Sequence, residues 1–158
     1  MTTVPPIPVP DERSAPFWKA AERGELVVAR CSRCRELSHP PDLTCPRCRD
    51  PHPDFVFEQV SGRGEVRSWV TIRQSFLPGF DTPYLLVDVA LDEDPLVRLL
   101  GRLVDGPDAD VMLGAAVRVV FDRVDEHISV PAFRLEPESP DRESSESESA
   151  HLSSESAS

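Results

Sequence analysis

The chain has 158 residues, with 28 acidic against 17 basic side chains and a formal net charge of −11. That length holds one ordinary domain, or a small domain with an appendage, and the net charge disfavours a long polyanion as a partner. Its start carries no charged-then-apolar leader and no stretch is apolar over a membrane-spanning length, so a soluble, cytoplasmic protein without a membrane partner is expected.

The charge is unevenly placed. From Glu136 onward seven acids stand against Arg142, a net of −6, which leaves −5 for everything before it. Residues 13 to 49 hold eight bases against four acids. An acidic chain therefore has a locally basic front, which suits one anionic ligand better than a long polyanion.

In chain order, residues 1–12 carry Pro5, Pro6, Pro8 and Pro10 and are expected to form an extended arm. Residues 13–25 read as a helix. Ser14 can cap it, and Pro16 in the first turn loses no needed donor. Phe17, Ala20 and Ala21 share one face, and Gly24 can close the helix at its C-terminal end. Trp18 lies off that stripe, and either covers the junction with the next element or contacts a ligand.

Residues 26–54 are organised by cysteine. Leu26 to Arg30 reads as a strand leading into Cys31-Ser-Arg-Cys34, and ten residues later comes Cys45-Pro-Arg-Cys48. These four are all the cysteine in the chain. Two such pairs can each grip one ion from a tight turn, and four thiolates meet the tetrahedral preference of zinc, with iron the minority occupant of the same cage. A closed four-thiolate site has no open position, which makes the metal structural. A redox pair would open a helix beside a βαβ pattern, and neither pair does. The ribbon looks too small to own a core, so the metal is expected to supply its folding free energy, about 10 kcal/mol or more. His39 and His52 read as surface residues beside a site already saturated.

Residues 55–135 switch to period two. Phe55 and Phe57 open a strand that ends at the turn Ser61-Gly-Arg-Gly64. Val66, Ser68, Val70 and Ile72 then alternate with Arg67, Trp69, Thr71 and Arg73. Strands at 84–91 and 96–104 flank an acidic turn, residues 105–114 read as a loop, and strands near 117–121 and 128–135 complete the pattern. Five or six short strands without a helix-length apolar stripe indicate a small barrel. Between strands, Gln74 to Phe80 places Phe76, Leu77 and Phe80 in a Pro/Gly-broken connection, either as a partner or ligand surface or as a loop folded over the barrel mouth. Residues 136–158 are Ser/Glu/Pro repetition, expected to be disordered and to contribute solubility only.

Helix, four-cysteine ribbon and barrel in that order resemble a known family. So do the strings Pro16-Phe-Trp18, Gly24-Glu-Leu-Val-Val28, Arg30-Cys-x-x-Cys34, Pro40-Pro41, Cys45-Pro-x-Cys48, Ser61-Gly-x-Gly64, Thr82-Pro-Tyr84, Val89-Ala-Leu-Asp-Glu93 and Val130-Pro-x-Phe133. The family is the DUF35 family, in which a rubredoxin-like zinc ribbon is fused to an OB-fold. The resemblance covers about residues 14 to 135 and implies a mainly β fold with an OB-fold barrel at 55–135. It implies an accessory, non-catalytic role beside thiolase-superfamily enzymes, including lipid-transfer-protein-like aldolases that shorten steroid side chains. On that reading the partner carries catalysis, the two share a CoA ester, and the assembly is a heterotetramer built on the partner's dimer. Trp18, Arg33, Arg73, Phe76, Leu77 and Phe80 would then contact acyl-CoA or partner, the arginines through phosphate oxygens. The family usually has glycine after each cysteine pair, where this chain has Arg35 and Arg49.

Two other functions fit parts of the pattern. OB-folds and zinc ribbons also bind nucleic acid, but residues 55–135 carry eight arginines against thirteen acids and offer only Trp69 as an outward-facing stacking candidate. An enzyme acting alone would need a general base or open metal site, and no such arrangement is visible.

Overall fold

In the computed structural model, which describes residues 6–75, 79 and 81–137, the chain enters helix α1 (Ala15–Glu22) through a reciprocal cap. Ser14 N–H donates to Asp11 Oδ1 at 2.8 Å, and Asp11 N–H donates to Ser14 Oγ at 3.0 Å. This is the geometry of a capping box, with Asp11 in the leading role that the sequence suggested for Ser14. Ala15 N–H already bonds the Asp11 carbonyl at 2.8 Å, so the helical turn begins there. At the other end Gly24, at φ 75°, donates to Ala21 O and Glu25 to Ala20 O, both at 3.0 Å. Those two bonds are the Schellman closure that glycine permits at this position.

Strands β1 (Val27–Cys31), β2 (Leu37–Ser38) and β3 (Phe55–Gln59) form a three-stranded sheet in the order β2-β1-β3. Phe55 and Phe57 were expected to start the barrel. Instead β3 pairs with β1 along its whole length, from Val27↔Gln59 to Cys31↔Phe55. The strand thus braces the ribbon before the chain turns into the barrel at Gly62.

Strands β4 (Arg63–Ile72), β5 (Tyr84–Leu91), β6 (Asp94–Leu103), β7 (Ala116–Arg123) and β8 (Ser129–Leu135) close a barrel in the order β4-β5-β6-β8-β7. Only the β6–β8 pairing is parallel. Counted within the barrel the order is 1-2-3-5-4 and back to 1, the Greek-key arrangement of an OB-fold. The architecture is the mainly β one expected, with one short helix, a four-cysteine ribbon and a five-stranded barrel.

One hydrophobic core serves both halves. It joins Phe17 and Ala20 of α1, Val28 of β1 and Leu37 of β2 to Val66, Val87, Val89, Val117 and Phe133 of the barrel. Phe133 is fully buried, and truncating it to Ala would cost about 3–5 kcal/mol. The ribbon was expected to lack a core, but its sheet borrows this one, because β1 lies beneath α1 with Val28 and Ala29 both fully buried.

The alternation read along β4 reverses part of the way. A bulge between Val66 and Ser68 inserts Arg67 without a partner. An extra residue flips the faces that follow. Val66 pairs with Val89 and Trp69 with Val87, both in the inward row, while Val70 and its partner Leu86 face outward. Trp69, expected to point out beside Arg67, shares a row with Val87 and yet stays exposed.

Phe76, Leu77 and Phe80, and the tail from Glu138 to Ser158, lie outside the described residues. No helix among the described residues is long and apolar enough to cross a membrane.

Candidate metal centre and its surroundings

Two copies of one turn build the centre. Residues 31–36 read Cys-Ser-Arg-Cys-Arg-Glu, and residues 45–50 read Cys-Pro-Arg-Cys-Arg-Asp. In the first, Cys31 N–H donates to Glu36 O at 3.0 Å and Arg35 N–H to Cys31 O at 2.9 Å. In the second, Cys45 N–H donates to Asp50 O at 3.0 Å and Arg49 N–H to Cys45 O at 2.8 Å. The sequence repeat was available as a signal and was missed. It extends the resemblance between the pairs from two cysteines to six residues.

All four Sγ atoms lie within 4.8 Å of one another, with Cys31 and Cys45 buried and Cys34 and Cys48 half-buried. Cys31 and Cys48 sulfurs are 3.9 Å apart, and those of Cys34 and Cys45 are 3.7 Å apart. A tetrahedron with metal–sulfur bonds of about 2.3 Å has edges of about 3.8 Å. The donor set and its spacing therefore fit one tetrahedral ion. None of the sulfurs is in a disulfide.

The thiols would titrate unevenly without a cation. Burial opposes ionisation of Cys45, but the N–H groups of Cys48 and Arg47 point at its sulfur and bring it down to about 7. At Cys48 the Asp50 N–H favours the thiolate, yet burial and hydrogen bonds with the neighbouring sulfurs push it up to about 12. Four adjacent thiolates repel one another, and a divalent ion removes that obstacle.

The turns carry strain at one residue each. Arg35 and Arg49 adopt φ of 66° and 59°, a left-handed conformation that costs a non-glycine residue about 1–2 kcal/mol. The carbonyl of Arg35 accepts a bond from the Arg30 guanidinium, which also makes a two-pronged pair with Glu58 on β3. Hydrogen bonding from Arg30 holds the Glu58 carboxyl below its usual range. Arg30 thus ties the first turn to the ribbon sheet. Arg47 ties the second to the barrel, through Asp94 at 2.7 Å in the β5–β6 hairpin, with both side chains mostly buried.

The other residues singled out are dispersed. Trp18 packs edge-on against Phe17, with centroids 5.0 Å apart, and lies against the core. Arg33 reaches Asp50 at 3.4 Å but stays 69% exposed. Arg73 is exposed at the end of β4. His39 is not the surface residue expected: its ring sits 4.9 Å from Phe17 and its Nδ1 is buried without a hydrogen-bond partner. Burial pushes its pKa down. Phe17 of α1 packs on this ring, and a period-based reading gives no hint of that contact.

Comparison with known proteins places the two halves. Residues 18–54 match the family model described as the ChsH2 rubredoxin-like zinc ribbon domain, and residues 57–122 match the ChsH2 C-terminal OB-fold domain. A probable enoyl-CoA hydratase alpha subunit from Thermomonospora curvata is 33% identical over 133 residues, which is 84% of this chain but 40% of that protein. The chain thus spans less than half the length of that relative. A solved structure described as the Ltp2-ChsH2(DUF35) aldolase contains a chain that superposes with a TM-score of 0.69 at 30% identity, covering 81% of this chain and 98% of that one. A DUF35 domain-containing scaffold protein from Methanocaldococcus jannaschii is 31% identical over 107 residues, 66% of this chain and 73% of that protein. With both ChsH2 modules matched in order and that identity to a scaffold protein of the same kind, this chain belongs to the DUF35 family.

Proposed function

We propose that the chain is a non-catalytic accessory subunit that docks on a thiolase-superfamily enzyme and helps to form or stabilise its acyl-CoA site. The partner would be a thiolase or a lipid-transfer-protein-like aldolase, with steroid side-chain degradation as the candidate pathway class. The observation that carries this reading is the likeness to the chain in the Ltp2-ChsH2(DUF35) aldolase, which extends over 98% of that chain. A relationship of that extent supports the same kind of assembly, because nearly the whole subunit is matched and not one module of it.

The described histidines are dispersed over the molecule. They are His39, buried against Phe17, the exposed His52, and His127, which is 82% exposed and 3.5 Å from Glu22. None is set beside a nucleophile. The proximity of the four sulfurs supports one structural zinc, for which Cys31, Cys34, Cys45 and Cys48 would be the ligands. When bound, the ion supplies cross-linking and charge neutralisation. The chain's own residues orient the thiolates through knuckle N–H groups and through the Arg30 and Arg47 braces. Trp18, Arg33, Arg73, Phe76, Leu77 and Phe80 are the proposed contacts with partner or CoA ester, in a heterotetramer built on the partner's dimer.

The test is co-expression with the thiolase-like or lipid-transfer-protein-like enzyme encoded nearest to this chain, followed by affinity capture and calorimetric titration with CoA esters. A stoichiometric complex that binds the ester more tightly than either part supports the proposal. Capture of single-stranded nucleic acid in place of enzyme and ester would refute it.

A further inference from the structure

Strand β4 runs on past its neighbour. On one side β5 accompanies it as far as Ile72↔Tyr84. On the other, β7 pairs with it only from Arg63↔Arg118 to Glu65↔Ala116. The last bonds on that side join Val66 to Ala115 at 3.0 Å and to Gly114 at 2.8 Å. From Arg67 to Ile72 this edge has no backbone partner among the described residues.

Unpaired edges template pairing with another chain, and proteins commonly blunt them with lysine, proline or a covering element. Here the stretch reads Arg67-Ser-Trp-Val-Thr-Ile72, with neither lysine nor proline and with four consecutive residues favoured in strands. The bulge sits at its base, and from Trp69 to Ile72 the register with β5 is regular. Both faces are open as well. Trp69 is 44% exposed on the inward row and Val70 is 49% exposed on the outward one. Residues i and i+1 on opposite faces are what an added strand would contact alternately.

Charge selects the occupant. Arg67 and Arg73 bracket the edge, both exposed and both without an ion pair among the described residues, whereas Arg98, Arg102 and Arg118 on the same barrel are paired with carboxylates. Antiparallel pairing of two copies would bring four guanidiniums together with no carboxylate between them. A second copy is therefore a poor fit, and a segment with acidic ends is a good one.

We propose that this edge receives an extended segment of the partner enzyme, acidic at its ends and apolar between, which adds a strand beside β4. The inference rests on the accessory-subunit reading for the identity of the partner, but the edge can be tested without it.

The experiment follows amide hydrogen exchange of the full chain with two capped nine-residue peptides, each alternating valine and threonine. One has glutamate at both ends and the other lysine. The acidic peptide should slow exchange across 67–72 by about tenfold or more and the basic one should not. A double variant, Arg67→Glu with Arg73→Glu, should weaken the acidic peptide by about fivefold or more and favour the basic one. Protection by neither peptide, or by both equally, overturns the proposal. A second arm follows the same amides in the purified complex with the partner enzyme. Protection there supports the proposal. Free exchange inside an intact complex overturns the edge assignment while leaving the accessory role standing. Failure to obtain any complex removes the accessory role, and the peptide arm then decides the edge.

Discussion

Changing Cys45 to Ser should melt the two cysteine turns and leave the barrel folded. In isolated zinc modules the metal contributes about 10 kcal/mol or more, and its loss unfolds the whole unit. That contribution rivals the entire stability of an ordinary domain, so a single cooperative unit would not survive it. The structure divides differently. Residues 39–54 contain no strand; besides the thiolates they are held by knuckle bonds, Arg47–Asp94, Arg33–Asp50, the Ser32–Asp54 backbone bond and His39 against Phe17. By contrast β1 is paired with β3 over five residues and buries Val28 in the common core. The variant should therefore lose exchange protection at the amides of Arg35, Cys45 and Arg49, by about a thousandfold or more if their opening was limited by metal release. Protection at Val66, Val87, Val89 and Val117 should change by less than about tenfold. Amide exchange resolved by residue, with zinc content measured on the same sample, provides the readout. Uniform loss across turns and barrel would show that ribbon and barrel fold as one unit and refute this division. Unchanged turns would show that metal does not hold them.

Two glycines separate backbone strain from collision. At Gly24, φ 75° with open space around the missing Cβ, substitution by Ala should cost about 1 kcal/mol. At Gly62, φ 72°, a Cβ would lie 2.3 Å from Val119 Cγ1 on β7, so Ala there should cost about 2–4 kcal/mol; urea midpoints with unchanged slopes compare the pair, and equal losses would contradict the packing described. Replacing Arg35 or Arg49 by Gly should raise stability by about 0.5–1 kcal/mol each, since relief of left-handed strain exceeds the extra entropy of an unfolded glycine, and a lowered melting temperature would contradict this. His39 predicts a pH dependence. Burial lowers its folded pKa, so the unfolded chain takes up the proton first as pH falls. Stability is full above about pH 6.5 and declines as pH drops from there toward the lowered folded value. His39→Phe should flatten that decline in melting temperature relative to the wild type, and parallel pH profiles would show that His39 does not contribute.

Much of this fold was legible because its signals are local. Cysteine spacing marked the metal turns, and the swing to period two after Phe55 marked the barrel. Gly24 announced the end of the helix through the one conformation that favours glycine there. Long-range features were not legible. Nothing in the sequence of β3 says whether its hydrogen bonds go to β1 or to the barrel, since both pairings bury the same aromatic pattern. The bulge at Arg67 is invisible to an alternation rule that assumes constant register, so the pairing of Trp69 with Val87 could not be read, although its exposure could. His39 looked like a surface residue because its burial depends on α1 folding back over the ribbon. Spacing identified the cysteines as zinc ligands but could not say what backbone conformation Arg35 and Arg49 would take. The left-handed φ at both shows that the backbone kept the turn and the side chain accepted the strain.

The most direct test of the accessory role is turnover by three samples: this chain alone, the thiolase-like or aldolase partner alone, and the two together at matched concentration with a CoA-ester substrate. No turnover from the chain alone is expected, together with an increase of at least about tenfold in kcat/KM when it joins the partner. Turnover by the isolated chain, or a partner indifferent to its presence, would contradict the proposal.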